Sequence, residues 1–127
     1  MIWRFLIAAL LGLHGLIHLI GSAATWRLGQ PTVVSAVPGY PAGLAVGGVP
    51  ARALGVLWLV ATLGFLLAAV GLASETSWWR GLGAAAAVLS LLLCLAWWND
   101  AKAGAIIDVA ILIGLAIATW VPGQART

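Results

Sequence analysis

Charge is what this chain has least of. Among its 127 residues, six are Lys or Arg and three are Asp or Glu, 7% in all. A soluble globular domain carries about a quarter. Nine charges cannot clothe a surface of this size in water, so a water-soluble domain is excluded and most of the outer surface is expected to face lipid. The bases, for a formal net charge of +3, stand singly along the chain, which leaves no nucleic-acid footprint. Cysteine is rarer still. Cys94 alone excludes an intramolecular disulfide and gives no reading of redox compartment. Methionine occurs only at Met1 and histidine only at His14 and His18. No phosphate-binding loop and no internal repeat is visible.

Apolar residues, by contrast, make up 64% of the sequence. A helix rises ~1.5 Å per residue, so ~20 residues cross a ~30 Å hydrocarbon layer. Four stretches are long enough: about 2–25, 51–73, 78–98 and 101–121. Continuous internal hydrogen bonding makes helices their expected form. Trp3, Trp26, Trp78, Trp79, Trp97, Trp98 and Trp120 fall near the ends of these stretches, as interfacial belts do, whereas Trp58 falls inside one. "SETS" before Trp78 and "ND" before Ala101 are short polar turns, so helices two, three and four are expected as antiparallel neighbours. The chain reads as an all-α, up-and-down bundle of four transmembrane helices, one domain over 1–127, with both termini on one side of a cell membrane.

Residues 26–50 break the pattern. Four prolines (Pro31, Pro38, Pro41, Pro50) and five glycines exclude a long regular helix there. A long, rather apolar Pro/Gly-rich loop is expected, lying on the interface or folding over the mouth of the bundle. Arg4 followed by "FLIAALLGL" and "GSAAT" has the regions of a secretory signal, but the apolar run continues past the histidines, which favours a retained helix. Arg4, Arg80 and Arg126 share one expected side and Arg27, Arg52 and Lys102 the other, so the basic residues set no orientation.

Ionisable side chains inside a membrane span are costly and usually face a protein interior. Counting along the helices places Asp108 ~10 Å and His18 ~12 Å below one common face. Ser90 and Trp58 fall in the same layer. His14 falls one turn deeper, Cys94 one turn shallower, and Thr62 is a milder polar member of the interior. A spacing of four puts His14 and His18 on one face of helix one. The Asp108 carboxylate is therefore expected to meet His18, directly or through water, as an imidazolium–carboxylate pair or as a neutral imidazole donating to the carboxylate. The candidate ligand or proton site is His14, His18, Asp108, Ser90 and Trp58.

His-x-x-x-His on one helix also presents two nitrogens to a metal, so His14 and His18 are candidate ligands of a transition metal. A b-type haem is disfavoured, because two imidazoles one turn apart cannot take opposite sides of one iron. Ser90, His18 and Asp108 supply the residue types of a catalytic triad, but types without geometry name no catalytic residue. The reading that follows is a binding or transport-accessory module, its polar layer holding a cation, a proton or a lipophilic ligand. The alternative is a structural subunit packing as a homo-oligomer or on a larger membrane complex. Its motive is the small-residue pairs Gly64 with Ala68, "GLGAAAA" at 81–87, and Gly114 with Ala118. A membrane-embedded enzyme has least support.

The blocks "LHGLIHLIG", "LGVLWLVATLGFLLAAV", "SWWRGLGAAAAVLSLLL" and "WWNDAKAGAIIDVAILIGL" resemble, in this order, a group of small uncharacterised four-helix bacterial membrane proteins. The resemblance covers about two thirds of the chain and implies a shared four-helix fold. It carries no established activity, though transporter-component labels are attached to similar sequences. In that group Asn is common where Asp108 stands here. A weaker likeness to the DoxX-like membrane proteins is one of fold alone.

Overall fold

An apolar run can leave water only if its backbone donors and acceptors are paired within the run, and a helix is the local way to do this. The computed structural model describes residues 2–26 and 49–120, and it is helical nearly throughout. The elements are α1 (Ile2–Trp26), α2 (Val49–Ala73), α3 (Trp79–Ala96) and α4 (Trp98–Trp120), with no strand among the described residues. All four are long and apolar enough to cross a membrane. Their outer faces carry exposed Leu10, Leu13 and Ile20, then Leu63, Leu67 and Val70, then Leu92, Ile106, Ile113 and Ile117. Such a belt suits hydrocarbon rather than water.

The boundaries differ from the sequence expectation in three places. Pro50 belongs to α2, not to the loop, since α2 starts at Val49. Proline is tolerated in a first helical turn because its missing N–H would have no partner there anyway. Helix three ends earlier than expected, with Trp97 leaving helical geometry (φ −109°, ψ 37°). The expected "ND" turn is instead one helical turn at the start of α4, followed by a break at Ala101 (φ −116°, ψ 15°). The Pro/Gly-rich stretch between Trp26 and Val49 lies outside the described residues.

Successive helices pack antiparallel. Ser22 Oγ donates to the Gly55 carbonyl (3.1 Å) and Trp26 Nε1 to the Arg52 carbonyl (3.0 Å), which pins the end of α1 to the start of α2. At the other end of the bundle Glu75 takes a left-handed conformation (φ 57°). The Thr76 N–H reaches the Gly71 carbonyl and the Glu75 N–H the Leu72 carbonyl, the Schellman pattern that ends a helix. Glu75 also pairs with Arg4, tying the first turn of α1 to the α2–α3 turn.

Close approach of α1 to α2 depends on glycines, Gly55 of α2 against Thr25 and Trp26 and two on α1 itself. A Cβ on Gly15 would stand 2.7 Å from Phe65 Cβ, and one on Gly21 2.6 Å from the Trp58 ring. The small residues of α2 and α3 are also used inside the chain. Gly64 lies against Ala86 (2.9 Å to an added Cβ), and Ala68, Ala86 and Ala87 are buried. Gly64, Ala68, Ala86 and Ala87 thus make their close contacts within the chain, whereas Gly81, and Gly114 with Ala118, do not. Gly81 and Gly114 alone among the described glycines have open space where a Cβ would go.

Replacing Gly15 by Leu should therefore lower stability by about 1–3 kcal/mol through overpacking, while Gly81→Ala should be neutral or gain up to ~1 kcal/mol from helix propensity. Thermal unfolding in detergent, followed by circular dichroism, checks both. A Gly15→Leu protein as stable as wild type would contradict the α1–α2 packing.

Candidate functional site

The ionisable side chains turned inward are gathered at one level, the other buried polar groups being the hydroxyls of Ser22, Thr25 and Thr62. At that level α1 contributes His14 and His18, α3 contributes Ser90, and α4 contributes Asp108, all buried and Asp108 and Ser90 completely so. A carboxyl group in such surroundings must have its oxygens paired. Asp108 Oδ1 lies 2.8 Å from His14 Nε2, and Asp108 Oδ2 accepts from Ser90 Oγ at 2.6 Å. The same Ser90 oxygen lies 2.9 Å from His18 Nε2. Since the serine has one proton and gives it to Asp108, His18 must donate its Nε2–H to Ser90.

The direct partner of Asp108 is therefore His14, not His18. Ser90 fills the gap in which a His18–Asp108 contact or a bridging water was expected. The depth count failed by one turn because it started helix four at Ala101. α4 starts at Trp98, which puts Asp108 ten residues, or ~15 Å, from that end and nearer the level of His14.

The walls of the site are aromatic. Phe65, fully buried, meets the His14 ring edge-on (centroids 4.9 Å) and lies 5.6 Å from the His18 ring. Trp58 is tilted against the other side of His18 at 5.2 Å, and the two imidazoles stand edge to face at 4.7 Å. Trp58 thus shares the site as packing. Its Nε1 has no hydrogen-bond partner among the described residues and does not join the network. Thr62 is occupied with its own helix, donating to the Trp58 carbonyl at 3.0 Å. Cys94 touches the edge of the network, Sγ 4.0 Å from Ser90 Oγ, and is buried. Phe65 was not singled out in the sequence, yet it stands seven residues after Trp58 and so on the same helical face.

Ser90, His18 and Asp108 do not have triad wiring. In a triad the carboxylate holds the imidazole that serves the hydroxyl. Here the carboxyl group takes the serine proton itself and faces a different imidazole. As metal ligands, His14, His18 and Asp108 each offer one atom, all within 4.8 Å of one another. Bonds of ~2.0–2.2 Å to zinc put tetrahedral ligands only ~3.4 Å apart. A metal would therefore have to draw the three together and break the hydrogen bonds that Ser90 makes between His18 and Asp108.

The network also has an outer side. α1 packs on α2, α2 on α3 and α3 on α4, but α1 and α4 share no comparable packing. Between them runs an apolar cleft of about 680 Å³, walled by residues including Leu11, Ile17, Ile107, Ala110 and Gly114, with His14 in its lining. Its rim residues Leu10, Ile17 and Ile106 are more than half exposed, so the cleft opens sideways between the two helices. Nothing in the residue pattern marks it out. No protein-family model matches this chain, and no match is found among curated proteins or solved structures.

Removing the Ser90 hydroxyl would strip one partner from Asp108 and one from His18, so Ser90→Ala should cost about 1–3 kcal/mol. Thr62→Ala should cost less, under about 1 kcal/mol, because the Thr62 hydroxyl only doubles a bond on its own helix. Equilibrium unfolding in mixed micelles distinguishes them. Equal losses would mean that Ser90 does not bridge the two groups.

Proposed function

We propose that this protein is a multi-pass membrane protein of the cell membrane, both termini on one side, that works as an intramembrane binding module for a lipid-soluble ligand. The cleft between α1 and α4 is the ligand's seat and the His14–Asp108–Ser90–His18 network its polar floor. The observation that carries this reading is the coincidence of the two. The one opening between helices described above has an imidazole in its wall, and that imidazole is held from behind by a buried carboxyl group. Apolar pockets with a few fixed polar groups are the usual form of small-molecule sites, and ~300–1,000 Å³ is their usual size. Ionisable groups at such depth mark functional sites more often than not. A ligand entering from the bilayer needs no aqueous route, which suits a bundle of four helices with no spacious interior.

A divalent metal on His14, His18 and Asp108 is the second reading, favoured by the closeness of their ligand atoms. Elemental analysis of purified protein separates the two. The lipid-soluble-ligand reading expects no stoichiometric metal in wild type. A near-stoichiometric metal that is lost in His18→Ala would replace it with the metal reading.

Gly114 has open space beside it and lines the cleft, so Gly114→Phe should fill the cleft without disturbing the network. Native mass spectrometry of protein released from detergent should show a bound lipid-like mass on wild type, reduced several-fold in Gly114→Phe. The same bound species in both proteins would place the ligand elsewhere and refute this reading.

A further inference from the structure

One buried polar atom of the network has no hydrogen-bond partner among the described residues. It is His14 Nδ1, on a side chain that is 5% exposed and lines the cleft. What this nitrogen offers a ligand depends on whether it bears a hydrogen, and the surroundings decide that. A net charge is expensive in hydrocarbon. The described residues place no cation near Asp108 apart from the histidines themselves. The electroneutral forms of the His14–Asp108 pair are two. In one, an imidazolium faces a carboxylate. In the other, a carboxylic acid donates to the bare Nε2 of a neutral imidazole, whose hydrogen is then on Nδ1. Both forms leave Nδ1 as an N–H donor. A bare Nδ1 needs a carboxylate beside an Nε2–H imidazole, its charge answered only by a protonated His18 on the far side of Ser90, a more separated ion pair than the direct His14–Asp108 contact.

We infer that the cleft selects a lipid-soluble carbonyl compound, its hydrocarbon body lying between α1 and α4 and its ketone-type oxygen accepting from His14 Nδ1–H. This rests on the binding reading above and adds the chemical class. Depth narrows the class further. His14 is twelve residues from either end of α1, or ~18 Å from each, near the middle of a bilayer and away from the ester groups of ordinary lipids. An acceptor at that depth belongs to a molecule that carries its carbonyl into the hydrocarbon region. His14 lines the cleft while its Nδ1 is buried, so seating the ligand has to shift the side chains that cover that nitrogen.

Two other occupants fit less well. The segment joining α1 to α2 leaves from Trp26 and returns at Val49, whereas the cleft runs from the level of Ile17 and Ile106 toward Ile7 and Ala118, at the opposite end of both helices. An apolar helix of a second copy would cover the cleft walls but leave the Nδ1 hydrogen unanswered.

The test uses three photoreactive probes of equal chain length in nanodiscs: a diazirine-bearing C16 ketone, the matching alcohol and the matching alkane. Labelled residues are mapped by mass spectrometry. The ketone should label residues 7–17 and 106–118 roughly three- to tenfold more than the alkane, the range one intramembrane hydrogen bond supports. His14→Phe should bring the ketone down to the alkane level. Asp108→Asn should keep the preference, because its amide N–H donates to His14 Nε2 and leaves the hydrogen on Nδ1. Gly114→Phe, which alters nothing in the network, should reduce cleft labelling by all three probes. Equal labelling by ketone and alkane, or a preference for the alcohol, would overturn the carbonyl assignment. If Gly114→Phe still removed that labelling, the binding reading would stand. No cleft labelling by any probe, or a dimer that excludes all three, would overturn both.

Discussion

A carboxyl group that is completely buried in an apolar helical bundle has to be held, and the rest of this structure is arranged around holding Asp108. Its two oxygens are shared between two other helices, one going to His14 of α1 and the other to Ser90 of α3. Ser90 in turn accepts from His18, so α1 grips the network twice. Without these bonds the carboxyl group would stand desolvated, at a cost of at least several kcal/mol if charged. Their presence fixes the rotation of three helices about their axes. The aromatic rings of Phe65 and Trp58 then supply the fourth wall from α2, and the glycines Gly15 and Gly21 let α1 come close enough to reach it.

The network also explains the openness of one side. α1 and α4 are joined by the His14–Asp108 contact rather than by the close packing seen between helices adjacent in the chain. Side chains that bridge a gap do not close it, and the aliphatic residues on either side line a cleft instead. Fold and candidate function meet in His14. Its Nε2 bonds to Asp108 and so couples α1 to α4, while its Nδ1 is buried without a partner among the described residues and the side chain lines the cleft.

Much of this was legible in the sequence, for identifiable reasons. Scarcity of charge and four long apolar runs led to four helices able to cross a membrane, because hydrocarbon leaves the backbone few alternatives. The meeting of α1, α3 and α4 at one polar level followed from counting residues inward from short turns. The choice of His14 over His18 did not follow, since the two differ by a single turn and α4 starts about one turn earlier than the "ND" turn suggested. Pro50 belongs by composition to the loop before it, although the first turn of α2 accepts it. The cleft was invisible because it depends on which helix pair stays apart, a tertiary property that Ile107, Ala110 and Gly114 share with any lipid-facing surface. Gly64 and Ala68 illustrate the same limit from the other side. Their spacing marks a close contact, but only the fold shows that the contact is with Ala86 in the same chain.

The central claim is that Asp108 is held by His14. Magnetic dipolar recoupling in lipid bilayers, between ¹³Cγ of aspartate and ¹⁵N of histidine, measures it directly. The two aspartates and two histidines of the chain keep the assignment simple. The structure predicts that Asp108 Cγ lies within about 4 Å of His14 Nε2, the separation a direct hydrogen bond imposes, with a longer distance to His18 Nε2 across Ser90. A short contact to His18 and none to His14, or no contact to either ring, would contradict it.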